Sequence, residues 1–347
     1  ENFVIPCTRK NKYTYMDVTS GIFEISGFPW IKSNKSFCRL GIDSLHKFSE
    51  GIQHLAWYPS GGVVRFISDS PAIAIRVQLI SANDMSHMPR SGSSGIDLYI
   101  GNGKNKKFVK SAMPGSGQKE YEAIFEGFEQ KVREWTINMP LYNGVKKLEI
   151  GLLSGTKLEK PSDYSIENPI VFYGSSITQG GCASRPGNSY THIICRWLNA
   201  NMVNLGFSGS AKGEPEMAEL ISRIEMSAFV MDYDHNAPDI EHLKKTHESF
   251  FKTIRKAQAH LPVVIVSMPD FDKTPDESEA RRAIIYETYK NAINRDDKNV
   301  YFVDGQTLFG SENRDACTVD GCHPNDLGFM RMAENMYPII KQALEIN

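Results

Sequence analysis

The chain has 347 residues, of which 41% are hydrophobic and 23% charged, a composition typical of a globular protein and too apolar for a disordered one. Its 39 basic and 41 acidic side chains give a formal net charge of -2, and the sequence has no basic run of the kind that binds nucleic acid or an anionic membrane. No apolar stretch approaches the roughly 20 residues that a membrane-spanning helix requires. Composition therefore excludes membrane-spanning and collagen-like proteins, and the length favours about two domains.

Residues 1–165 contain short β-type segments separated by turn sequences such as Tyr142-Asn143-Gly144, with almost no helical periodicity. In the clearest segment, isoleucine, valine and leucine occupy every second position from 73 to 79. The predicted strands are Gly62–Ser68, Ala72–Ile80, Ile96–Ile100, Lys107–Lys110, Tyr121–Phe125, Val132–Ile137 and Val145–Leu152. This spacing predicts an amino-terminal all-β domain, a sandwich or a jelly roll.

After the polar linker Thr156–Asn168, the pattern changes to strands that alternate with helices over residues 166–347. Buried parallel strands are predicted at Ile170–Tyr173, Met202–Leu205, Ala228–Asp232, Val263–Met268 and Val300–Val303. Helices are predicted at roughly 188–199, 214–225, 239–260, 276–295 and 325–345. Such alternation predicts a doubly wound α/β domain, whose ligand crevice lies beyond the carboxyl ends of its strands.

Two short blocks of small and polar residues follow the first two of these strands. In Tyr173–Gly180, Ser176 lies on a strand-to-helix turn that can present its hydroxyl to the crevice and its N–H to an oxyanion. The alternative is a Gly/Ser-rich loop without a nucleophile. The second block, Asn204–Ser210, can expose backbone N–H groups to the same crevice, but by itself it reads as an ordinary turn.

The third block, Asp232–Pro238, follows the third strand, and its Asn236 can donate a hydrogen bond into the crevice. A metal site made from Asp232, Asp234 and His235 is the alternative. Neighbouring residues on a strand point to opposite faces, so these three ligands would require an irregular loop. Hydrogen bonds that hold the loop are the simpler role for Asp234 and His235.

The fourth block, Asp320–Asn325, precedes the last helix. A carboxylate at Asp320 can fix the imidazole tautomer of His323 while the ring acts as a base. Alternatively, Asp320 and Pro324 belong only to the turn that begins the helix. Each of the four blocks is a weak signal alone, whereas their order along the predicted strands is informative.

In that order the blocks resemble the SGNH, or GDSL-like, hydrolase family over about residues 170–347. The residues that match the family's Ser, Gly, Asn and Asp-x-x-His are Ser176, Gly209, Asn236, Asp320 and His323. The segments DYDHNAP and DGCHPNDLG are similar to a bacterial subgroup whose amino-terminal β-domain carries a GxDLY signature, which Gly95–Tyr99 matches. Ser175 stands where the family usually has Asp, so it is a competing nucleophile, although the spacing to Thr178 and Gly180 favours Ser176.

The resemblance implies a flavodoxin-like, three-layer catalytic domain with a Ser176–His323–Asp320 triad. The oxyanion hole would consist of the N–H groups of Ser176 and Gly209 and the side chain of Asn236. It also implies hydrolysis of short acyl esters, above all acetyl, on a carbohydrate or other small molecule, without a metal or organic cofactor. An acyltransferase, a lipase-type esterase on a non-sugar substrate and a non-catalytic carbohydrate-binding protein are the alternatives.

Three further expectations concern the surroundings of this site. The loop Ser81–Gly95 offers His87 and Arg90 as substrate contacts, or it only packs one domain against the other. Cys317 and Cys322 flank Asp320, and in an exported protein they could form a disulfide, with free thiols as the alternative. A chain that begins at Glu1 is a hint of export to the periplasm or medium. We expect no nucleic-acid partner, and the sequence leaves the oligomeric state open.

Overall fold

A computed structural model describes residues 3–4, 12–269 and 272–346. In the first half the strands are β1 (Phe3–Val4), β2 (Tyr13–Asp17), β3 (Glu24–Ser26), β4 (Val63–Ser68), β5 (Ala72–Leu79), β6 (Ile96–Ile100), β7 (Lys107–Ala112), β8 (Glu120–Glu126), β9 (Arg133–Asn138), β10 (Val145–Leu153) and β11 (Lys157–Glu159). The helices are α1 (Ile31–Asn34), α2 (Glu50–Leu55) and α3 (Arg90–Ser93), with 3-10 turns at Val18–Ser20, Ile42–Lys47 and Gly103–Asn105.

These strands form two antiparallel sheets that pack face to face. One sheet has the order β1-β11-β4-β9-β6-β7, with β3 also paired to β4, and the other has the order β2-β10-β5-β8. Fully buried side chains from both sheets, among them Phe66, Ile75, Trp135 and Ile150, fill the space between them. All seven predicted strands are present, and an all-β first half is confirmed.

The second half contains the strands β12 (Ile166–Gly174), β13 (Ala200–Gly206), β14 (Ala228–Asp232), β15 (Val263–Val266) and β16 (Val300–Val303). The helices are α4 (Ser176–Gln179), α5 (Tyr190–Leu198), α6 (Pro215–Ile221), α7 (Ile240–Ala257), α8 (Pro275–Asn294) and α9 (Asp326–Ala343), with 3-10 turns at Pro186–Asn188, Asp234–Asn236, Gly305–Thr307 and Arg314–Cys317. In the part of the chain that the structure describes, no helix is both long enough and apolar enough to cross a membrane.

The five strands form one parallel sheet in the order β13-β12-β14-β15-β16. Alternate residues of β12 enter different cores: Val171 packs with α6, α7 and α8, whereas Phe172 packs with α5 and α9. Helices therefore cover both faces of the sheet. The predicted three-layer, flavodoxin-like α/β fold is confirmed.

The first half also contains short helical elements that its sequence pattern does not reveal: residues 31–55 include α1, α2 and a 3-10 turn. Leu40, Ile52 and Leu55 from this segment lie in the same hydrophobic core as α6, α7 and α8. These elements are short, so their apolar residues do not repeat often enough to reveal a helical period. A piece of the first half thus completes the core of the α/β half, while the boundary near residue 165 stays a prediction.

The GxDLY segment lies on β6 and joins the two halves. The Asp97 carboxylate is fully buried and accepts hydrogen bonds from the Arg185 guanidinium at 2.9 Å, the Gly187 backbone N–H at 2.8 Å and the Asn138 side chain at 2.7 Å. The Arg185 guanidinium also donates to the Tyr99 hydroxyl. A buried carboxylate requires such donors, because an unpaired buried charge is costly. The Asp97 of the GxDLY segment therefore forms a fixed contact between the sandwich and the α/β half.

Candidate active site

The turn between β12 and α4 places Ser176 at the first position of a helix. The buried Ser175 hydroxyl caps α4 by accepting a hydrogen bond from the Ile177 backbone N–H at 3.1 Å. A Cβ at Gly174 would lie 2.1 Å from the Thr178 Oγ1 atom, so the tight turn requires glycine there. The two serines thus have different surroundings: Ser175 turns inward to its own helix, while Ser176 faces the loop that follows β16.

The hydroxyl of Ser176 meets His323, and His323 in turn meets Asp320. Ser176 Oγ lies 3.0 Å from His323 Nε2, and His323 Nδ1 lies 2.8 Å from Asp320 Oδ2. The other carboxylate oxygen, Oδ1, accepts the backbone N–H groups of His323 at 2.7 Å and Cys322 at 3.0 Å. The structure brings together three residues that are up to 147 positions apart in sequence, in the order Ser176, His323 and Asp320 that the predicted triad requires.

The Asp320 loop is shaped by its own backbone. Gly321 has a φ of +81°, which lets the chain reverse between the carboxylate and the imidazole. The Val319 N–H donates to the His323 carbonyl at 3.0 Å, and Asn325 then caps α9 by accepting the Leu327 and Gly328 N–H groups. Asp320 therefore does more than begin a helix, because Asn325 is the residue that caps it.

The charge of Asp320 is stabilised locally. Partial burial raises the pKa of this carboxyl group, but hydrogen bonds from the His323 ring and from the backbone N–H groups of His323 and Cys322 outweigh it and hold the pKa at about 2. Asp320 is thus an anion throughout the neutral range. An anion 2.8 Å from Nδ1 favours the proton on that nitrogen and leaves Nε2 free to accept the proton of Ser176.

Gly209 and Asn236 lie on two loops that contact each other. Asn236 Nδ2 donates to the Phe207 carbonyl at 2.9 Å, which leaves the second N–H of its amide for another acceptor. Gly209 is exposed, with a φ of +65° and open space where a Cβ would point. Ser208, the residue before Gly209, donates its backbone N–H to Gln179 Oε1 of α4 at 3.0 Å. Hydrogen bonds thus connect the turn that contains Gly209 to Asn236 on one side and to the helix that begins with Ser176 on the other.

The metal-site alternative in the third block does not form. Asp232 Oδ2 accepts hydrogen bonds from the hydroxyls of Thr178 at 3.0 Å and Tyr190 at 2.8 Å. Asp234 instead pairs with Arg281 and accepts the Met268 backbone N–H. Within the described ranges, no group of three or more His, Cys, Asp or Glu side chains is placed to bind a metal.

Asp232 is a buried carboxylate beneath the Ser176 turn. Burial raises the pKa of Asp232 to about 7, although the hydrogen bonds from Tyr190 and Thr178 lower it. Asp232 pairs with Gly174 in the register of β14 and β12, and Thr178 belongs to α4. Its carboxylate therefore connects the strand that leads to Asn236 with the helix that carries Ser176.

The sandwich half supplies part of the site. Tyr142, from the turn between β9 and β10, donates its hydroxyl to the Ser176 carbonyl at 3.1 Å. The exposed His87 ring lies 5.9 Å from the His323 ring, measured between centroids, whereas Arg90 forms an ion pair with Asp84 at 3.0 Å. His87 is thus beside His323, whereas Arg90 is paired within its own loop. The sequence gives no sign of this contact, because Tyr142-Asn143-Gly144 is typical of a turn between strands.

Of the two possibilities for Cys317 and Cys322, the structure has free thiols rather than a disulfide. Cys317 is fully buried in the core with α9 and accepts a hydrogen bond from Arg331 Nη1 at 3.3 Å. Cys322 instead lies with its Sγ atom 4.0 Å from His235 Nδ1. The loop around Asp320 is fixed by hydrogen bonds and by the core rather than by a cross-link.

Two family models match the chain. Residues 167–341, half of the chain, match the GDSL-like lipase/acylhydrolase family, and residues 13–158 match the GxDLY amino-terminal region of SGNH-hydrolase-type esterases. The chain belongs to the GDSL-like lipase/acylhydrolase family. It is therefore an enzyme that acts on carboxylic esters.

Solved structures of similar fold cover between 82% and 96% of this acylhydrolase. A protein from Bacteroides ovatus described as a GDSL-like lipase is 27% identical, with a TM-score of 0.88 over 96% of this chain and 99% of that one. A salicylyl-acyltransferase from a tetracycline biosynthetic pathway is 17% identical, with a TM-score of 0.81 over 96% and 98%. A family two carbohydrate esterase from Clostridium thermocellum, in complex with cellohexaose, is 16% identical, with a TM-score of 0.60 over 82% and 93%. No curated relative matches the chain.

Proposed function

We propose that this acylhydrolase is a serine esterase that removes short acyl groups, above all acetyl, from a sugar or another polar alcohol. The observation that carries the proposal is the hydrogen-bonded line from Ser176 Oγ through the His323 ring to Asp320, with distances of 3.0 and 2.8 Å. This line has the order and spacing that activate a serine hydroxyl for attack on an ester.

In the proposed reaction, Ser176 Oγ attacks the ester carbonyl while His323 Nε2 takes the hydroxyl proton. Asp320 stabilises the imidazolium that results. The N–H groups of Ser176 and Gly209 and the second N–H of the Asn236 amide bind the oxyanion. His323 then returns the proton to the leaving alcohol, and a water molecule repeats the sequence to release the acid.

The choice of substrate is supported by the surroundings of the site and by the related folds. The exposed His87 beside His323 offers a polar ring to an alcohol, and we propose it as a substrate contact. Arg90 is a weaker candidate, because its guanidinium already pairs with Asp84. Among the similar folds, an acetyl xylan esterase and the cellohexaose complex point to carbohydrates, and the near-zero net charge suits a neutral sugar. A sugar polymer is encountered outside the cell, so we retain export as part of this proposal.

An acyltransferase is the second candidate, because the fold is shared with a salicylyl-acyltransferase at a TM-score of 0.81. Both reactions pass through the same acyl-enzyme and differ only in whether water or another nucleophile accepts the acyl group. Product analysis in the presence of acceptor alcohols separates them. With an esterase, the acceptor alcohol leaves the yield of free acid unchanged. With a transferase, a new ester forms and the yield of free acid falls.

The test is a panel of nitrophenyl esters of increasing acyl length and of acetylated sugars, assayed on the wild type and on Ser176→Ala. We expect activity to be highest on acetyl esters and to vanish in Ser176→Ala, together with labelling by a fluorophosphonate. Ser175→Ala is the matched control, because it removes a neighbouring hydroxyl that caps α4 and should leave labelling in place. Turnover by Ser176→Ala, or loss of labelling only in Ser175→Ala, would contradict the assignment.

A further inference from the structure

Arg39 has an unusual position for an arginine. It belongs to the first half of the chain, yet its side chain is fully buried against β13 of the α/β half. Nη1 donates hydrogen bonds to the carbonyls of Asn204 at 2.9 Å and Gly206 at 2.7 Å, and Nη2 donates to the Leu55 carbonyl at 2.9 Å. The guanidinium carbon also lies 4.5 Å from the centroid of the Phe207 ring.

The guanidinium is a buried cation that only neutral groups solvate. No carboxylate of the described residues forms an ion pair with it, and its Nε atom is buried without an acceptor. Burial lowers the pKa of Arg39 to about 9, which still leaves the group protonated at pH 7. Burying an unpaired charge is costly, and here the return is the pairing of three backbone carbonyls of buried residues, Asn204, Gly206 and Leu55. Arg39 therefore fixes the backbone at these carbonyls, and two of them lie at the end of β13.

Its hydrogen bonds end where the catalytic loops begin. Gly206 is the last residue of β13, and the turn that presents Gly209 starts at Phe207. A carbonyl and the N–H of the same peptide point in opposite directions, so holding the Gly206 carbonyl directs the Phe207 N–H away from Arg39. That N–H donates to the Gly174 carbonyl at 2.9 Å, directly before the Ser176 turn. The peptide group from which the Gly209 turn extends is thus held by Arg39 on one side and by the residue before the Ser175–Ser176 pair on the other.

A second connection passes through Asn204. Arg39 holds the Asn204 backbone carbonyl, and the Asn204 side chain donates to the Thr178 carbonyl of α4 at 2.7 Å. Thr178 in turn donates its hydroxyl to Asp232. A continuous buried chain of hydrogen bonds therefore runs from the cation at Arg39, beneath α4, to the carboxylate at Asp232. Such a chain couples the nucleophile turn and both oxyanion loops.

We propose that Arg39 is a positioning residue for the oxyanion loop, through which the first half of the chain contributes to catalysis without touching the substrate. This inference rests on the proposed function, in which Gly209 and Ser176 share the oxyanion. Oxyanion donors act only when their geometry is fixed before the reaction, so loosening their support should lower kcat rather than weaken substrate binding.

The test compares Arg39→Met, Arg39→Gln and Arg39→Lys with the wild type on nitrophenyl acetate. The fraction of protein that a fluorophosphonate has labelled when the reaction is complete gives the concentration of competent active sites. We express kcat per labelled site. We expect kcat to fall at least about tenfold in Arg39→Met with KM within about threefold, and the labelling rate to fall in parallel. Arg39→Lys should lose least, because it keeps the charge and part of the hydrogen bonding.

Arg65→Met is the matched control. The Arg65 guanidinium is equally buried and also comes from the first half, but it pairs with Glu24 and Glu134 inside the sandwich region. Its loss should lower the unfolding free energy and leave kcat per labelled site within about twofold of the wild type. Equal kcat losses in Arg39→Met and Arg65→Met would show a general structural effect and overturn the proposal.

The outcomes separate this inference from the proposed function. If Ser176→Ala retains turnover, the function itself fails. If Ser176→Ala is inactive but every folded Arg39 variant keeps kcat within about twofold of the wild type, only the role of Arg39 is refuted. Should Arg39→Met not fold, the same criterion applies to Arg39→Gln and Arg39→Lys, each of which retains a hydrogen-bond donor.

Discussion

The side chain at position 320 gives a sharp test of the catalytic assignment, because two substitutions should have different effects for a geometric reason. In the wild type, Asp320 Oδ1 accepts two backbone N–H groups while Oδ2 faces His323 Nδ1. In Asp320→Asn, the amide oxygen must take the place of Oδ1, since only an acceptor satisfies those N–H groups. The amide NH2 then faces Nδ1, favours the proton on Nε2, and prevents His323 from accepting the proton of Ser176.

Asp320→Ala removes the charge without imposing a tautomer. Two unit charges about 4 Å apart interact by about 1 kcal/mol in water and about 4 kcal/mol at an effective dielectric constant of 20. The side chains of His323 and Asp320 are 25% and 40% exposed, which favours an intermediate value. An electrostatic loss of about 2 kcal/mol corresponds to a fall in kcat of about 30-fold. Asp320→Asn adds the wrong tautomer, so its kcat should fall further, on the order of 10³-fold, short of the roughly 10⁴-fold known for a fully buried triad aspartate.

The assay is kcat on nitrophenyl acetate at pH 7, expressed per fluorophosphonate-labelled site. Asp315→Asn is the control for loss of one negative charge nearby, since Asp315 is exposed and lies in the 3-10 turn that precedes the loop. We expect that variant to match the wild type. If Asp320→Asn were as active as Asp320→Ala, or more active, the tautomer argument and with it the proposed role of Oδ1 would be refuted.

Three further predictions concern residues around the triad. Asn236→Ala should lower kcat about 10²–10³-fold with little change in KM, because this is the cost of losing one oxyanion donor. A kcat within threefold of the wild type would exclude Asn236 as a donor to the oxyanion. The unfolding free energy of Asp232→Asn, measured against that of the wild type, should increase from pH 5 to pH 8. The pKa of Asp232 is about 7 in the folded protein and about 4 in the unfolded chain. The wild type therefore loses stability as the pH rises between these two values, whereas an asparagine does not titrate. Urea unfolding of both proteins at pH 5 and pH 8 measures the difference in unfolding free energy. The same difference at both pH values would contradict the prediction. His87→Ala should raise KM for acetylated sugars and leave kcat on nitrophenyl acetate unchanged, because His87 contacts His323 from outside the triad.

The α/β half was predictable because its strands are buried on both faces. Such strands appear in the sequence as continuous apolar runs, and their carboxyl ends must share one edge of the sheet. That rule alone places the blocks containing Ser176, Gly209 and Asn236 near one another. The fold class, the seven sandwich strands and the family resemblance are confirmed. The catalytic roles stay a prediction, now with a geometry that can be tested.

What the sequence could not show are contacts that depend on tertiary structure. Arg39 meets Gly206 across 167 positions, and an arginine is ordinarily a surface residue, so no local pattern marks it as buried. Tyr142 reaches Ser176 from a turn whose sequence already had a sufficient explanation. The sequence left the state of Cys317 and Cys322 open for the same reason. Closeness in sequence does not determine which side of a loop a thiol faces, and here Cys317 enters the core while Cys322 faces His235.

The serine at position 175, where the family usually has aspartate, is compatible with catalysis for a physical reason. The turn requires an acceptor for the Ile177 N–H, and a hydroxyl supplies it at 3.1 Å as well as a carboxylate would. A hydroxyl carries no charge, whereas position 175 is almost fully buried and adjoins Gly174, the register partner of Asp232. A second carboxylate so close to a buried one would repel it and would need donors of its own. In this chain Asp232 supplies the buried carboxylate next to the Ser176 turn, and the residue that caps α4 is neutral.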